Sequence, residues 1–88
     1  MWNVAIKRKL LIKIGNLPMK VQMLFADLKM DLELKGPEQP GWMNYSKLGN
    51  NKYHCHLNYH YVACWQVEAD NTLTLEVYYV GSRENAPY

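Results

Sequence analysis

Two stretches in the middle of the chain are rich in β-branched, aromatic and small side chains, which predicts β-strands, and the first alternates histidines with more apolar residues. They run from Tyr53 to Leu57 and from Tyr59 to Val67, with a tight connection near Asn58. Successive side chains on a strand point to opposite faces. One face of this pair is therefore expected to join the core, through Tyr53, Cys55, Leu57, Tyr61, Ala63, Trp65 and Val67. The opposite face, which we expect to be open, carries His54 and His56.

The first part of the chain predicts one strand and two helices. Trp2, Val4 and Ile6 alternate with Asn3, Ala5 and Lys7, as in a strand. From Lys9 the apolar spacing changes to that of a short helix, which Gly15-Asn16 can end. Pro18 opens a second helix, which ends at Gly36-Pro37. Its apolar stripe is Val21, Leu24, Phe25, Leu28 and Leu32, widened by Met30 and Leu34. We expect both helices to pack on one sheet face as a hairpin, with this stripe in the core.

Further strands complete the prediction. One is centred on residues 45–48, followed by a turn at 49–51, and the last runs over 72–80 after a turn at 69–71. Gly81 is expected to end the last strand, and residues 82–88 form a tail. The predicted fold class is α+β: an N-terminal strand, a helical hairpin, then a three- to four-stranded antiparallel sheet. The whole of 1–88 is expected to form one domain.

Composition narrows the class of protein. A chain of 88 residues with 49% apolar residues can bury one core, which excludes a disordered chain. No apolar run is long enough to span a membrane and no signal peptide is evident, so we expect a cytoplasmic protein. Two cysteines do not make a disulfide framework and are expected to be reduced. The net charge is only +2, yet a local basic stripe attracts phosphates at close range. The simpler interpretation is that each lysine is solvated surface.

Three segments and the last residue carry a resemblance to a known family. The segment 52–57 (Lys-Tyr-His-Cys-His-Leu) stands where the family has Tyr-Lys-x-Lys-Leu, and 61–67 stands where it has Tyr-Arg-x-x-Tyr-x-Val. The segment 80–84 matches Val-Gly-x-Arg-Glu, and Tyr88 falls near a terminal catalytic tyrosine. In order, spacing and size the chain resembles the RelE/ParE superfamily of bacterial toxins from toxin–antitoxin modules.

This resemblance implies a chemistry and a set of catalytic residues. The ribonuclease branch of the family cleaves mRNA in the ribosomal A site without a metal or other cofactor, by attack of the 2′-hydroxyl on the adjacent phosphate. His54 and His56 would replace two family lysines as acid and base. Arg83 would bind the phosphate, and Tyr88 would stack on a base or lie at the scissile group. The implied partners are a cognate antitoxin, mRNA and the ribosome.

Four more residues are candidates for RNA contact. Lys47 and Lys52 add positive charge near the histidines. The family's central-strand arginine falls on Val62, so His60 is the candidate replacement for that cation. Tyr78 is the candidate for stacking on a base.

Other interpretations stay open. His54 and His56 are also compatible with exposed strand residues that have no role, or with two ligands of a metal site. Arg83 is equally suited to a structural salt bridge or an antitoxin contact. At the level of function, the valine at the arginine position favours a ParE-like inhibitor of DNA gyrase. A third possibility is a non-toxic interaction protein that pairs through an exposed sheet edge.

Overall fold

The structure, a computed structural model, describes residues 1–68 and 72–88. Two α-helices lie against a five-stranded sheet, which confirms the α+β class but adds to the three or four strands expected. In chain order the elements are β1 (Asn3–Ile6), α1 (Arg8–Gly15), α2 (Met19–Lys35), β2 (Ser46–Lys47), β3 (Lys52–His56), β4 (Tyr61–Val67), β5 (Thr74–Ser82) and a 3₁₀ turn (Arg83–Asn85). The turn expected at Ala69-Asp70-Asn71 lies outside the described residues.

The strand order in the sheet is β1-β5-β4-β3-β2. The neighbours β5, β4, β3 and β2 pair antiparallel, as expected. However, β1 pairs in parallel with β5, from Asn3 opposite Thr74 to Ile6 opposite Val77, so the sheet is mixed. The fifth strand is therefore the predicted N-terminal strand, which joins the same sheet through the last strand of the chain.

Two short connections set the register of the central strands. The Leu48 N–H donates to the Lys52 carbonyl at 2.7 Å, closing the turn between β2 and β3. In the next connection, the Asn58 side-chain oxygen accepts from the backbone N–H groups of His60 and Tyr61 at 2.9 and 3.0 Å. The expectation that this strand starts at Tyr59 was wrong, because the Asn58 side chain closes a turn with His60 and Tyr61 and β4 starts only at Tyr61.

A β-bulge interrupts the pairing of β4 with β5. Cys64 lies opposite Tyr79, and the next residue, Trp65, lies opposite Val77, so Tyr78 is the extra residue. A bulge shifts the alternation of the strand that carries it. Leu75 and Val77 therefore point to the core before the bulge, and Val80 does so after it.

Gly81 does not end the last strand, which was the expectation. It pairs with Val62, and β5 continues to Ser82. A Cβ at Gly81 would lie 2.8 Å from the Tyr79 hydroxyl oxygen. That hydroxyl donates to the Ser82 carbonyl at 2.6 Å. The glycine is required here because the tyrosine ring crosses its backbone closely.

The helices cover one face of the sheet, as expected for the hairpin. One cluster contains the buried apolar residues of both layers: Ile14, Val21, Phe25, Leu28, Leu32, Tyr53, Cys55, Leu57, Ala63, Trp65, Leu75, Val77 and Val80. The second helix ends at Gly36 (φ 87°), where a Cβ would lie 2.6 Å from the Trp2 indole nitrogen. Glycine is therefore required here for two reasons: the positive φ angle and the close contact with Trp2, which precedes β1.

The second helix also has an apolar stripe on its outer face. Its four large residues are Met19, Met23, Met30 and Leu34, all exposed. Placing Met30 and Leu34 in the core was wrong, since they are 55% and 62% exposed. Their positions fall on the side of the helix opposite Phe25 and Leu28. Within 1–68 and 72–88, no helix combines the length and apolarity that crossing a membrane requires.

Candidate active site

His54 and His56 lie next to each other on the sheet face that the helices leave uncovered. Their ring centroids are 5.7 Å apart, with the rings edge to face. The Tyr88 ring returns from the C-terminal tail and lies 4.5 Å from the His54 ring, centroid to centroid. His54 is only 8% exposed. The expectation of an open face was therefore wrong at His54, because the tail folds back over it.

The strand beside the histidines gives the site an apolar floor. Cys64 lies opposite His54 and Val62 lies opposite His56, and both are fully buried. Burial is the main cause that lowers the pKa of His54, followed by the neighbouring His56. The pKa of His56 is also lowered, first by burial and then by the charge of Arg83. Both imidazoles are therefore mostly neutral at neutral pH, where each can accept a proton.

A serine from the edge strand contacts the buried histidine. Ser46 lies opposite His54 in the register of β2 with β3, and its Oγ is 3.0 Å from His54 Nδ1. A hydrogen bond to the Ser46 backbone raises the pKa of His54, although less than burial lowers it. Ser46 was not among the candidates, although the turn at 49–51 was predicted and its length fixes this register.

Arg83 begins the tail, and its positive charge acts on two members of this cluster, His56 and Tyr88. Its backbone N–H donates to the His60 carbonyl at 2.8 Å, while its side chain is exposed. The charge of Arg83 lowers the pKa of His56, and it acts in the same direction on Tyr88, whose pKa burial raises overall. Among residues 1–68 and 72–88, the salt bridges are Lys7–Glu76 and Lys29–Glu33. Arg83 takes part in neither of these two, and its exposed side chain is accessible to an anion.

Tyr78 lies at the edge of the site and is partly buried rather than exposed. It forms a hydrogen bond with Cys64, and burial raises the pKa of the Tyr78 hydroxyl to about 12. Burial also raises the pKa of the Cys64 thiol to about 12, so this thiol is not a nucleophile at neutral pH. The ammonium of Lys52 lies 5.8 Å from the centre of the Tyr78 ring. These two RNA-contact candidates therefore lie together, on the histidine side of the sheet.

The remaining candidates are not brought to the histidines. Lys47 lies opposite Tyr53, and its ammonium is 5.7 Å from the centre of that ring, on the face that packs against the helices. His60 is exposed in the turn before β4 and meets the tail through its carbonyl. The structure thus groups His54, His56 and Tyr88 with Arg83 nearby, and leaves Lys47 on the other face.

A metal site at the histidine pair would need further ligands, which the described residues do not bring to it. In the part of the chain that the structure describes, no three His, Cys, Asp or Glu side chains converge on a point that could hold a metal. The two cysteines are buried, and Cys55 belongs to the opposite, core face. What the site offers instead is a buried neutral imidazole, a second imidazole, a phenol and an exposed guanidinium.

Comparison with solved structures identifies the fold. The archaeal RelE–RelB complex from Pyrococcus horikoshii contains a chain with a TM-score of 0.74 and 15% identity, over 97% of this chain and 98% of that one. The YoeB–YefM complex from Staphylococcus aureus gives a TM-score of 0.70 at 11% identity, over 92% and 95% of the two chains. A metal-bound toxin from Helicobacter pylori gives 0.63 at 21% identity, over 96% and 97%.

Searches by sequence find no relative: neither a protein-family model nor a curated protein matches the chain. The similarity is thus one of fold, over nearly the full length of each partner. The chain has the fold of the RelE and YoeB toxins, and that expectation is confirmed.

Proposed function

We propose that this chain is the toxin of a type II toxin–antitoxin system and that it cleaves mRNA on the ribosome, in the cytoplasm and without a metal. The observation that carries the proposal is the packing of Tyr88 against His54, with His56 beside it and Arg83 nearby. The shared fold with RelE and YoeB supports it independently. An acid–base pair with an exposed cation is what phosphodiester cleavage requires and what a purely structural sheet face does not need.

The proposed reaction is an internal transfer at one phosphate. A neutral histidine takes the proton of the 2′-hydroxyl, and the 2′-oxygen forms a bond to phosphorus. The bond from phosphorus to the 5′-oxygen breaks, and this oxygen leaves with the proton of the Tyr88 hydroxyl. Burial raises the pKa of Tyr88, so its hydroxyl is protonated at neutral pH and can donate this proton to the leaving 5′-oxygen. The products are a 2′,3′-cyclic phosphate and a 5′-hydroxyl.

Two groups stabilise the charge that develops on the phosphate. The Arg83 guanidinium is exposed and can bind two phosphate oxygens at once. His56, even when neutral, can donate one N–H to one of the same two non-bridging oxygens. Val62 stands at the position of the family's central arginine and is fully buried, so Arg83 carries more of this role here. Lys52 lies on the same side of the sheet and would attract the RNA backbone.

We further propose a cognate antitoxin as partner. Two of the similar structures are complexes of a toxin with its antitoxin, RelE with RelB and YoeB with YefM. A small acidic protein encoded directly next to this chain would be the candidate antitoxin, and its co-expression should restore growth. Continued arrest in the presence of such a protein, expressed and folded, would contradict its assignment as the antitoxin.

The test is controlled expression in bacteria with pulse labelling of protein and DNA synthesis. We expect protein synthesis to stop first, and the double substitution His54→Ala/His56→Ala to abolish the arrest. Lys35→Ala, which removes an exposed charge at the end of α2, serves as the control. Mapping of mRNA ends should show new cuts only with the wild-type protein and the control.

Other outcomes point elsewhere. An arrest of DNA synthesis first, unchanged by the histidine substitutions, would overturn the ribonuclease and favour gyrase inhibition. Normal growth with the wild-type protein would overturn the toxin assignment and leave a non-catalytic interaction protein. Urea unfolding of each purified variant shows whether a lost effect reflects lost chemistry or a lost fold.

A further inference from the structure

A groove bordered by lysines lies between α1 and the second half of β5. It forms because β1 pairs with β5 only as far as Val77, while β5 continues to Ser82. Beyond Val77, α1 lies beside β5, and a cavity of about 250 Å³ remains between them. The lining includes three half-buried side chains and three exposed lysines: Leu10, Tyr78, Tyr79, Lys7, Lys9 and Lys13.

The groove carries a positive charge. One of its lysines, Lys7, lies 3.7 Å from a carboxylate oxygen of Glu76, which also lines the cavity. Lys9 and Lys13 form no salt bridge among residues 1–68 and 72–88. These two lysines lie one turn apart on α1, so their side chains point to the same face of the helix. Their charges therefore attract an anion to the groove.

Tyr78 connects the groove with the candidate active site. Its ring is part of the groove lining, and the ammonium of Lys52 lies 5.8 Å from the centre of the same ring. The strand that carries Tyr78 is two places from the strand that carries His54, and neighbouring strands lie about 4.8 Å apart. The path from the histidines to the groove is therefore on the order of 10 Å long.

We propose that this groove binds the sugar–phosphate backbone of the mRNA strand beside the cleaved phosphate. The inference rests on the proposed ribonuclease function and extends the contact with its substrate from the histidines to α1. Lys9 and Lys13 each bind one phosphate, and the rings of Tyr78 and Tyr79 offer surfaces on which bases stack. An acidic protein segment would satisfy the charge alone. The tyrosines and the short path to the histidines favour a single strand of RNA.

The test measures RNA binding without cleavage. The probe is a fluorescent single-stranded oligouridine of about twelve nucleotides, whose 2′-O-methyl groups remove the nucleophile. Its binding to the purified protein is followed by fluorescence anisotropy over a series of salt concentrations. Lys9→Ala/Lys13→Ala removes two cations from the groove. Lys20→Ala/Lys35→Ala removes the same charge from exposed positions on α2 and serves as the matched control.

Each phosphate contact on a single strand contributes about 0.7 to the slope of log affinity against log salt concentration. We therefore expect Lys9→Ala/Lys13→Ala to reduce this slope by about 1.4. Because the counterion contribution vanishes near 1 M salt, the same two contacts correspond to an affinity loss of about 25-fold at about 0.1 M salt. The control should leave the slope unchanged.

Glu76→Gln should act in the opposite direction. It removes the carboxylate beside Lys7 and keeps an oxygen for the 3.4 Å hydrogen bond from the Gln66 amide. Lys7 is then available to a phosphate, so binding should tighten and the slope should steepen by up to about 0.7. Tighter binding cannot result from a damaged fold.

Two results would overturn the RNA groove: equal salt slopes for Lys9→Ala/Lys13→Ala and the control, or a Glu76→Gln variant that binds RNA no tighter than the wild type. Equal slopes together with lost binding of an acidic protein partner would make the groove a protein-docking site instead. A wild-type protein that binds the oligonucleotide through these lysines but cleaves no ribosome-bound mRNA would overturn the ribonuclease function and leave the groove as an RNA-binding site.

Discussion

Replacing Gly81 by alanine tests how the last strand and the tail are held together. The new Cβ would lie 2.8 Å from the Tyr79 hydroxyl oxygen and 3.0 Å from the ring carbon that bears it. The ring must move, and it then loses its 2.6 Å hydrogen bond to the Ser82 carbonyl. Overpacking of this kind costs about 1–3 kcal/mol, and the lost hydrogen bond about 0.5–1.5 kcal/mol. The smaller entropy of the unfolded alanine chain offsets about 0.4–1 kcal/mol.

We therefore expect Gly81→Ala to lower the free energy of unfolding by about 2 kcal/mol, within a range of about 0.5–4 kcal/mol, measured by urea unfolding with linear extrapolation. The cause can be isolated with Tyr79→Phe, which removes the atom at 2.8 Å and should cost about 1 kcal/mol alone. In that background the ring is no longer held, so Gly81→Ala should cost less than about 1 kcal/mol. Equal costs in both backgrounds, within about 0.5 kcal/mol, would refute the reasoning.

Three further predictions concern the charged and titratable groups. The fold lowers the pKa of both His54 and His56 below the ordinary value of 6.5, so the unfolded chain binds more protons. The free energy of unfolding, measured by urea unfolding, should then fall as the pH drops below about 6.5. In a His54→Gln/His56→Gln variant, most of this pH dependence should be absent. Burial raises the pKa of each cysteine thiol to about 12, so a thiol reagent at pH 8 should label neither until urea unfolds the protein; rapid labelling of the folded chain would contradict their burial. Lys52→Ala should weaken the binding of ribosome-bound mRNA and reduce the salt dependence of that binding. Lys47→Ala, on the helix-covered face, should change neither. Equal effects of the two substitutions would contradict the placement of the RNA on the histidine side of the sheet.

Local patterns predicted the parts of the fold that depend on neighbouring residues. Alternation assigned Cys55 and Trp65 to the core face, and the structure places both there. Parallel pairing of β1 with β5 joins residues far apart in the chain, which no local periodicity can show. The same limit explains why Gly81 was expected to end the strand, because its pairing partner is Val62 on β4. Met30 was assigned to the core because helical spacing alone does not tell which of two apolar stripes faces the sheet.

The sequence predicted which histidines form the candidate site better than it predicted the residues that pack around them. Period-two alternation is enough to place His54 and His56 side by side. No periodic pattern predicts the path of the tail, so the burial of His54 under Tyr88 was missed. Ser46 was missed for a different reason. A lone serine on a short strand carries no signal until the register of β2 with β3 is worked out from the turn that joins them.

The parallel pairing of β1 with β5 also governs when this protein can exist in folded form. During synthesis, β1 leaves the ribosome early but finds its place in the sheet only after Thr74 and the residues that follow have been made. Contacts between such distant residues close late and fold slowly. The tail that brings Tyr88 to His54 comes later still. On the proposed function, the ribosome that makes this chain therefore meets no assembled active site until Tyr88 has been made and has reached His54.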